Sequence, residues 1–446
     1  MKSAQAISLI LIPIVAIFII KVILVHPSFS DENLYYAMGK IVGQGQRPYD
    51  DFNFVHPPLQ LYFLAGIFTF LGASLTAAKL LPLFASSASV LLIFLISKRL
   101  FDQKTALASA LLFLITPAFL AFSDQGYGMW EAIFFILLSV YICLRGKYAA
   151  GSFLFSIAVF TRYLSLLFLP LIILIFINRK IKWKPFVMWT AVFICGFFLL
   201  FYLAYGYNFV DQTVLFQIFA KRNLNILLKL PFQYLGFGFF SIFLAAVSLT
   251  VGVMRKDKLV MLLSLYPIAI DAVIFFGFTT IIYHYFLISL AFLFIGLGKS
   301  FIASKDKFIQ AGIILIILFS IYSNYLTIDY YQNPAYAKHF YDVADFVASR
   351  TSPGDKIFGE SSITSYIMFT KNISVSSSYL DSFLSYLIYK DEKTVIANLE
   401  REKPKIIIDM SNYYETNPVF SQYLSEEYQK VMEFPGIPTY IIYQRS

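Results

Sequence analysis

Residues 6–25 read AISLILIPIVAIFIIKVILV, an almost wholly apolar run. A bilayer is crossed by about 20 apolar residues in a helix. The apolar core of a signal peptide is shorter, about 7–15 residues, and precedes a small-residue cleavage site, and no clear site of that kind follows here. The run is therefore predicted to be a retained transmembrane helix, with Lys2 on the cytoplasmic side and Asp31 on the outer side.

The composition extends this interpretation to the rest of the chain. Of the 446 residues, 59% are hydrophobic and 14% are charged, and the mean hydropathy is +0.71. Soluble domains are about 45–50% apolar and about 25% charged. This composition excludes a soluble enzyme and a disordered protein. A disulfide scaffold is also excluded, because Cys143 and Cys195 are the only cysteines in the sequence. The sequence predicts a polytopic α-helical membrane protein.

The net charge of +9 is unevenly distributed along the chain. Residues 1–329 contain 24 Lys and Arg against 12 Asp and Glu, whereas residues 330–446 contain 11 against 14. Cytoplasmic loops of membrane proteins are enriched in Lys and Arg. The excess positive charge is therefore attributed to membrane topology, and no nucleic-acid partner is expected.

Ten further apolar runs are candidate transmembrane helices, and the basic clusters between them fall at every second boundary. This spacing places all the clusters on the side of Lys2 and predicts about 11 transmembrane helices. The apolar segment 57–71 would break the alternation if it crossed, so it is predicted to be a juxtamembrane or re-entrant helix; a short twelfth span is the alternative. The ten runs are 77–97, 105–123, 129–144, 148–161, 164–177, 185–206, 234–254, 259–279, 280–297 and 308–327.

The composition changes after the last of these runs. Helical spacing at 338–350 and 391–402 alternates with short apolar strands at 356–359, 405–409 and 439–443, which indicates a small α/β domain. The predicted domains are a transmembrane catalytic domain, 1–328, whose first outer loop, 27–76, contains juxtamembrane helices, and an extracytoplasmic α/β domain, 329–446. The N-terminus is predicted to be cytoplasmic and the protein to lie in the plasma membrane.

The first outer loop contains the densest group of polar residues. Asp31 and Glu32 follow the first predicted span directly. A carboxylate beside lipid can gain the basicity of a general base; the alternative is that Asp31 caps a helix over 32–42. His56 lies farther along the same loop, before Pro57.

The motifs D-E-x-x-Y-Y, G-x-x-P-Y-x-D-F and H-P-P-L-x-x-Y, at residues 31–36, 45–52 and 56–62, resemble the first outer loop of GT-C glycosyltransferases. The resemblance is to the polyprenyl-phosphate-sugar-dependent branch, which includes protein O-mannosyltransferases and the lipid A aminoarabinose transferase. Further matches follow in family order, namely the acidic loop ending at Asp124, Thr161-Arg162-Tyr163, Lys221-Arg222, His284-Tyr285, and two tail segments at 353–357 and 403–407.

The resemblance implies an inverting transfer of a monosaccharide from a polyprenyl (dolichyl) phosphate to an acceptor on the outer face. It assigns the base to Asp31, with Glu32 and Asp124 beside it in the catalytic set. Cations that neutralise the departing phosphate are expected from the basic positions of the family. Alternatively, these cations bind lipid phosphates, and Asp124 caps the next helix. The donor-binding residues are taken to be His56, Arg162, Lys221, Arg222, His284 and Tyr285.

Two departures from the family pattern limit what the resemblance implies. Some relatives hold a metal with a first-loop Glu and a His in the long outer loop, but here His56 precedes Pro57 and residues 207–233 contain no His. A divalent ion at Asp31, His56 and Asp124 is the remaining arrangement, and no cofactor is assigned. The soluble repeats of eukaryotic O-mannosyltransferases are also missing, so the acceptor is left as protein, glycan or lipid.

The alternative function is a secondary transporter or flippase of lipid-linked sugar. Transporters tend to have inverted repeats and ionisable residues at the membrane midplane, whereas this chain concentrates its acids and bases at one surface and its spans show no evident repeat. Asp271 lies within an apolar run and is expected to form a helix–helix hydrogen bond. Glu360-Ser361-Ser362, after a predicted strand, is expected to form a helix N-cap, with a ligand-binding loop as the alternative.

Overall fold

The protein is described here by a computed structural model. It describes residues 3–28, 30–220, 233–277, 283–304, 306–376, 392–411, 413–436 and 438–446. The contacts divide the chain into two compact units. The first unit contains Met1–Leu24, Lys79–Gly206 and Asn225–Gln332, and the second contains Val25–Ala78, Tyr207–Leu224 and Asn333–Ser446.

Apolar helices make up the first unit. Short polar caps begin several of them: the Asp102 carboxylate accepts a hydrogen bond from the Thr105 N–H, and the Asp306 carboxylate accepts one from the Phe308 N–H. Such caps satisfy backbone donors that a helix leaves open at its N-terminus. The helices are α1 (Ser3–Ile23), α4 (Leu75–Leu100), α5 (Gln103–Leu114), α6 (Pro117–Phe122), α7 (Met129–Cys143), α8 (Tyr148–Thr161), α9 (Leu169–Asn178), α10 (Trp183–Val210), α11 (Gln233–Met254), α12 (Lys258–Gly277), α13 (Leu287–Ala303), α14 (Lys307–Ser323) and α15 (Tyr325–Gln332).

Among the described helices, three segments are long and apolar enough to cross a membrane: Gln5–Ile23, Leu75–Leu100 and Trp183–Gln217. Several predicted spans are divided. The run 105–123 is interrupted before Pro117, where the Thr116 hydroxyl caps α6, and the run 164–177 begins as a 3-10 helix, Tyr163–Phe168. The chain is helical as predicted, whereas the number of spans stays a prediction.

Polar side chains join the helices of the first unit at a few buried points. The Asp271 carboxylate of α12 accepts hydrogen bonds from Ser289 of α13 at 2.7 Å and from Ser241 of α11 at 3.2 Å. This confirms the helix–helix hydrogen bonds expected of Asp271. Gly298 of α13 lies so close to Ser109 of α5 that a Cβ at this glycine would be 2.1 Å from the serine hydroxyl. The small residue therefore permits this helix contact.

The second unit includes two helices of the predicted first outer loop, α2 (Glu32–Gly43) and α3 (Leu59–Leu71). The prediction of a helix in the apolar segment 57–71 is therefore confirmed. The position of this helix relative to a membrane stays a prediction. A Cβ on Gly39 of α2 would be 2.6 Å from Leu64 Cβ of α3, so glycine allows these helices to pack closely. The loop between them is held by hydrogen bonds to the segment 207–220. The Phe54 N–H donates to Gln212 Oε1 at 2.9 Å, and Gln212 Nε2 donates to Tyr49 O at 3.0 Å.

The C-terminal part of the second unit is an α/β domain, as predicted. Its sheet has the strand order β2-β1-β3-β5-β4, with β1 parallel to β2 and β3, and β5 antiparallel to β3 and β4. The strands are β1 (Lys356–Gly359), β2 (Ser374–Val375), β3 (Ile406–Met410), β4 (Tyr428–Phe434) and β5 (Tyr440–Arg445). The helices are α16 (Pro334–Arg350), α17 (Ser361–Lys371), α18 (Glu392–Glu402), α19 (Tyr413–Thr416) and α20 (Pro418–Glu427).

Two hydrophobic clusters contain alternate residues of the strands. Ile357 and Ile406 belong to the cluster with α16 and α17, whereas Phe358 and Ile407 belong to the cluster with α18 and α20. Adjacent residues of a strand point to opposite faces, so helices cover both faces of the sheet. Residues 25–78 belong to the same compact unit as this domain. The sequence analysis instead assigned residues 27–76 to the transmembrane catalytic domain.

Candidate functional site

A buried charge cluster lies at the loop after α6. The Asp124 carboxylate accepts one hydrogen bond from Lys21 Nζ of α1 at 2.6 Å and another from Lys79 Nζ of α4 at 3.3 Å. Gln332 of α15 accepts a hydrogen bond from the same Lys21 ammonium at 2.9 Å. Lys21, Lys79 and Asp124 are 6%, 2% and 6% exposed. Buried charges of this kind are costly unless they are paired.

The loop itself is fixed by hydrogen bonds to its backbone. Trp130 Nε1 donates to Phe122 O at 2.6 Å, and Ser86 Oγ donates to Ser123 O at 2.7 Å. The next helix, α7, has Gly128 at its N-cap in the left-handed region, with φ of 75°. Asp124 therefore does not cap that helix, which removes the alternative considered from the sequence.

The two ammonium groups control the ionisation of Asp124. Burial by itself raises the pKa of this carboxyl, but the adjacent Lys21 and Lys79 charges outweigh burial and hold the pKa well below its usual range. A carboxylate held so strongly in its ionised form is a poor proton acceptor. Asp124 is thus suited to positioning ammonium groups rather than to acting as the base.

Arg162 and Glu131 form a second buried group in the first unit. Arg162 is 4% exposed, lies directly after α8 in extended backbone, and donates a hydrogen bond to Tyr127 O. Glu131, in the first turn of α7, is 2% exposed, and its carboxylate oxygens have no hydrogen-bond partner among the described residues. The charge of Arg162 acts on this carboxylate. This arrangement brings a predicted donor-binding cation beside an acid that the sequence interpretation did not select.

In the second unit, the two adjacent acids of the first loop have different surroundings. Asp31 is exposed and occupies the N-cap position of α2, but its side chain makes no capping hydrogen bond. Glu32 is fully buried, and its carboxylate accepts hydrogen bonds from Ser28 Oγ at 2.6 Å and Tyr36 Oη at 3.0 Å. Of the two acids, Asp31 is the one whose side chain is accessible from outside the protein.

His56 is half-buried among aromatic rings in the same loop. Its ring centroid lies 6.0 Å from that of Tyr35 and 5.7 Å from that of Phe54, and Tyr49 Oη donates to His56 O at 2.7 Å. These contacts fit a packing role as well as the donor-binding role predicted for the imidazole. The acid Asp50 accepts a hydrogen bond from Asn208 at 3.1 Å, so it has a structural partner within the unit.

The remaining predicted donor-binding residues are less fully described. Lys221 and Arg222 lie outside the described residues, as does the side chain of His284. Tyr285 is 7% exposed and lies in the 3-10 helix Tyr283–Phe286 that leads into α13. The roles of all four stay predictions.

The residues present do not fit a metal site of the kind considered from the sequence. Within the described ranges, no group of three or more His, Cys, Asp and Glu side chains could hold a metal ion. Asp124 also has both carboxylate oxygens engaged by ammonium groups.

Sequence reasoning missed Lys21, Lys79 and Glu131. Each was available as an ionisable residue at the end of an apolar run, and such residues are functional candidates by default. The partners of the two lysines lie 103 and 45 residues away, and no local pattern reveals such a contact.

Comparison with known proteins gives a match to one family model over part of the chain. Residues 55–205, about a third of the sequence, match the family model described as dolichyl-phosphate-mannose-protein mannosyltransferase. No curated protein sequence matches the chain significantly.

Solved structures match over almost the full length. The crystal structure of ArnT from Cupriavidus metallidurans bound to undecaprenyl phosphate is 12% identical, with a TM-score of 0.65, covering 99% of this chain and 98% of that one. The apo oligosaccharyltransferase of Archaeoglobus fulgidus is 12% identical, with a TM-score of 0.59 and coverage of 100% and 75%.

A further match is the Archaeoglobus fulgidus oligosaccharyltransferase AglB in complex with an inhibitory peptide and a dolichol-phosphate. It is 14% identical with a TM-score of 0.53, covering 98% of this chain and 74% of that one. Together, the family model and these structures confirm the resemblance of the chain to the GT-C superfamily, whose fold it has.

Proposed function

We propose that this protein is a membrane glycosyltransferase that moves a monosaccharide from a polyprenyl-phosphate donor to an acceptor on the extracytoplasmic face. The observation that carries the proposal is the buried cluster of Lys21, Lys79 and Asp124. Charged side chains at the ends of apolar helices are expensive and mark functional sites. Ammonium groups held there suit a phosphate attached to a lipid chain. The likeness to a structure that holds undecaprenyl phosphate supports the same donor class.

The chemistry is a single displacement. The acceptor oxygen attacks the anomeric carbon from the side opposite the phosphate while Asp31 takes the proton from the acceptor. The bond between the anomeric carbon and the phosphate oxygen breaks, and the electron pair leaves with polyprenyl phosphate. The configuration at the anomeric carbon is thereby inverted. Cations near the phosphate stabilise the negative charge that develops on the leaving group.

The named residues take separate roles in this scheme. Asp31 is the base because its carboxylate is exposed and is not used to cap α2. Lys79 and Lys21 stabilise the phosphate, with Asp124 fixing their ammonium groups. Arg162 is a further donor-side cation. Glu32 supports the start of α2 through its bonds to Ser28 and Tyr36.

Transfer of radiolabel tests the proposal directly. The purified protein should move label from a polyprenyl-phosphate sugar to at least one member of a panel of peptide, glycan and lipid acceptors, and should release polyprenyl phosphate in equal amount. A secondary transporter or flippase would instead move the lipid-linked sugar across liposomes without forming a bond. Translocation with no transfer to any acceptor would replace the enzyme with the transporter.

The orientation needs its own test, because the enzyme proposal places the donor loops outside. In a Cys195→Ser background, cysteines at the exposed positions Ser352 and Gln429 should react with an impermeant thiol reagent on intact cells. A cysteine at the exposed Lys147, which follows α7 on the predicted cytoplasmic side, should react only after permeabilisation. The opposite labelling pattern would contradict a plasma-membrane enzyme that acts on the outer face.

A further inference from the structure

Two helices of the second unit, α2 and α17, pack against each other with their C-terminal ends together. Lys40 near the end of α2 donates hydrogen bonds to Phe369 O and to Asn372 Oδ1 at the end of α17, each at 2.5 Å. The rings of Tyr36 and Phe369 add a contact at 6.0 Å between centroids. The α/β domain is therefore joined to the first outer loop within this unit.

The spacing along both helices is the same. Lys40 lies nine residues after Asp31, and Phe369 lies nine residues after Glu360. Since each residue advances a helix by about 1.5 Å, equal counts from the bonded ends place Asp31 level with Glu360. The charges of these two groups interact, as this placement requires.

The Glu360 carboxylate is held in place at the start of α17. Its carboxylate accepts hydrogen bonds from Ser362 N at 2.9 Å, Ser362 Oγ at 2.6 Å and Ile363 N at 3.1 Å, and so caps α17. This confirms the helix cap expected of Glu360. Burial, together with the charge of Asp31, raises the pKa of Glu360 above its ordinary value, and the three donors oppose this only in part. The carboxylate is fixed at the helix end and cannot swing away.

We propose that Glu360 is a specificity-determining residue on the acceptor side, and that it selects for an uncharged nucleophile and against a phosphate group. The inference rests on the proposed function, with Asp31 as the base. An acceptor that approaches Asp31 meets a second fixed negative charge supplied by the α/β domain. A phosphomonoester carries about −1.5 to −2 charges at neutral pH, and juxtaposed like charges cost several kcal/mol. A hydroxyl group meets no such repulsion.

Matched acceptor pairs test this. A serine peptide and its phosphoserine form, and a glycolipid and its phosphomonoester, differ by the phosphate alone. Wild type should prefer the unphosphorylated member of each pair. Glu360→Gln keeps an oxygen that can cap α17 but loses the charge, and it should raise kcat/KM for the phosphorylated member relative to the other by about tenfold or more.

Two further variants separate this role from a structural one. Glu360→Asp retains the charge and a good capping group, so its acceptor ratio should stay close to wild type. Glu402→Gln removes an equal charge from the same domain, where Glu402 pairs with Lys356 at the other end of β1, and it should leave the ratio unchanged. An unchanged ratio in Glu360→Gln, or wild-type preference for the phosphorylated members, would overturn the inference. Absence of transfer by wild type to any acceptor would instead overturn the proposed function.

Discussion

Asp31→Asn should abolish most turnover while leaving the donor bound. Removal of a general base commonly lowers the rate by about 10²–10⁴, and the amide that replaces the carboxylate cannot take a proton from the acceptor. The fold should survive, because Asp31 is exposed and makes no capping hydrogen bond to α2. Single-turnover transfer by the variant, beside equilibrium binding of labelled polyprenyl phosphate, measures the two effects separately.

Asp50→Asn is the matched control for this substitution. Asp50 lies in the same loop and accepts a hydrogen bond from Asn208, which an asparagine oxygen can also accept. The same chemical change there should leave transfer close to wild type. Turnover by Asp31→Asn at the level of this control would remove Asp31 from the mechanism. Loss of donor binding in Asp31→Asn would assign the residue to the donor side instead.

The sequence was most informative where local chemistry decides the structure. The strand at 356–359 has the predicted bounds because a Pro-Gly-Asp turn precedes an apolar run. The strand Tyr428–Phe434 was not predicted, because most of its side chains are exposed and it lacks an apolar alternation. The helix Ser361–Lys371 was foreseen only at its cap.

In the candidate site, too, local sequence predicted some features and packing decided the others. Asp31 was selected from its position after an apolar run and from the family motif, both of which are local. The exposure of Asp31 and the burial of Glu32 could not be predicted, since adjacent residues of a helix point in different directions and the packing of α2 decides which one is covered. The link between Lys40 and Phe369 joins residues 329 positions apart, so the part played by the α/β domain near Asp31 required the structure.

Asp124→Asn should cause a large loss of both stability and donor affinity. Removing one partner of a buried ion pair costs about 3–5 kcal/mol, because the other charge stays buried, and here two ammonium groups depend on one carboxylate. Without that carboxylate, Lys21 and Lys79 lose the contact that fixes their position. Thermal unfolding in detergent measures the first effect, and equilibrium binding of polyprenyl phosphate measures the second.

Asp102→Asn gives the comparison within the same unit. Asp102 pairs with Lys299 at 3.4 Å on the surface, with the two side chains 47% and 27% exposed, and such pairs contribute about 0–1 kcal/mol. Asparagine also preserves the cap that Asp102 forms on α5. This variant should therefore unfold close to the wild-type temperature and bind the donor normally.

The dependence on pH and a second substitution distinguish an ionic role for Asp124 from simple packing. Since the pKa of Asp124 is held below its ordinary value in the folded protein, its contribution is present above about pH 3.9 and is lost as the pH falls below that value. The stability difference between wild type and Asp124→Asn should accordingly shrink in acid. At neutral pH, adding Lys21→Met to Asp124→Asn should recover part of the lost stability, because one buried positive charge is then removed. Additive losses from the two substitutions would show that the ammonium and carboxylate groups do not depend on each other.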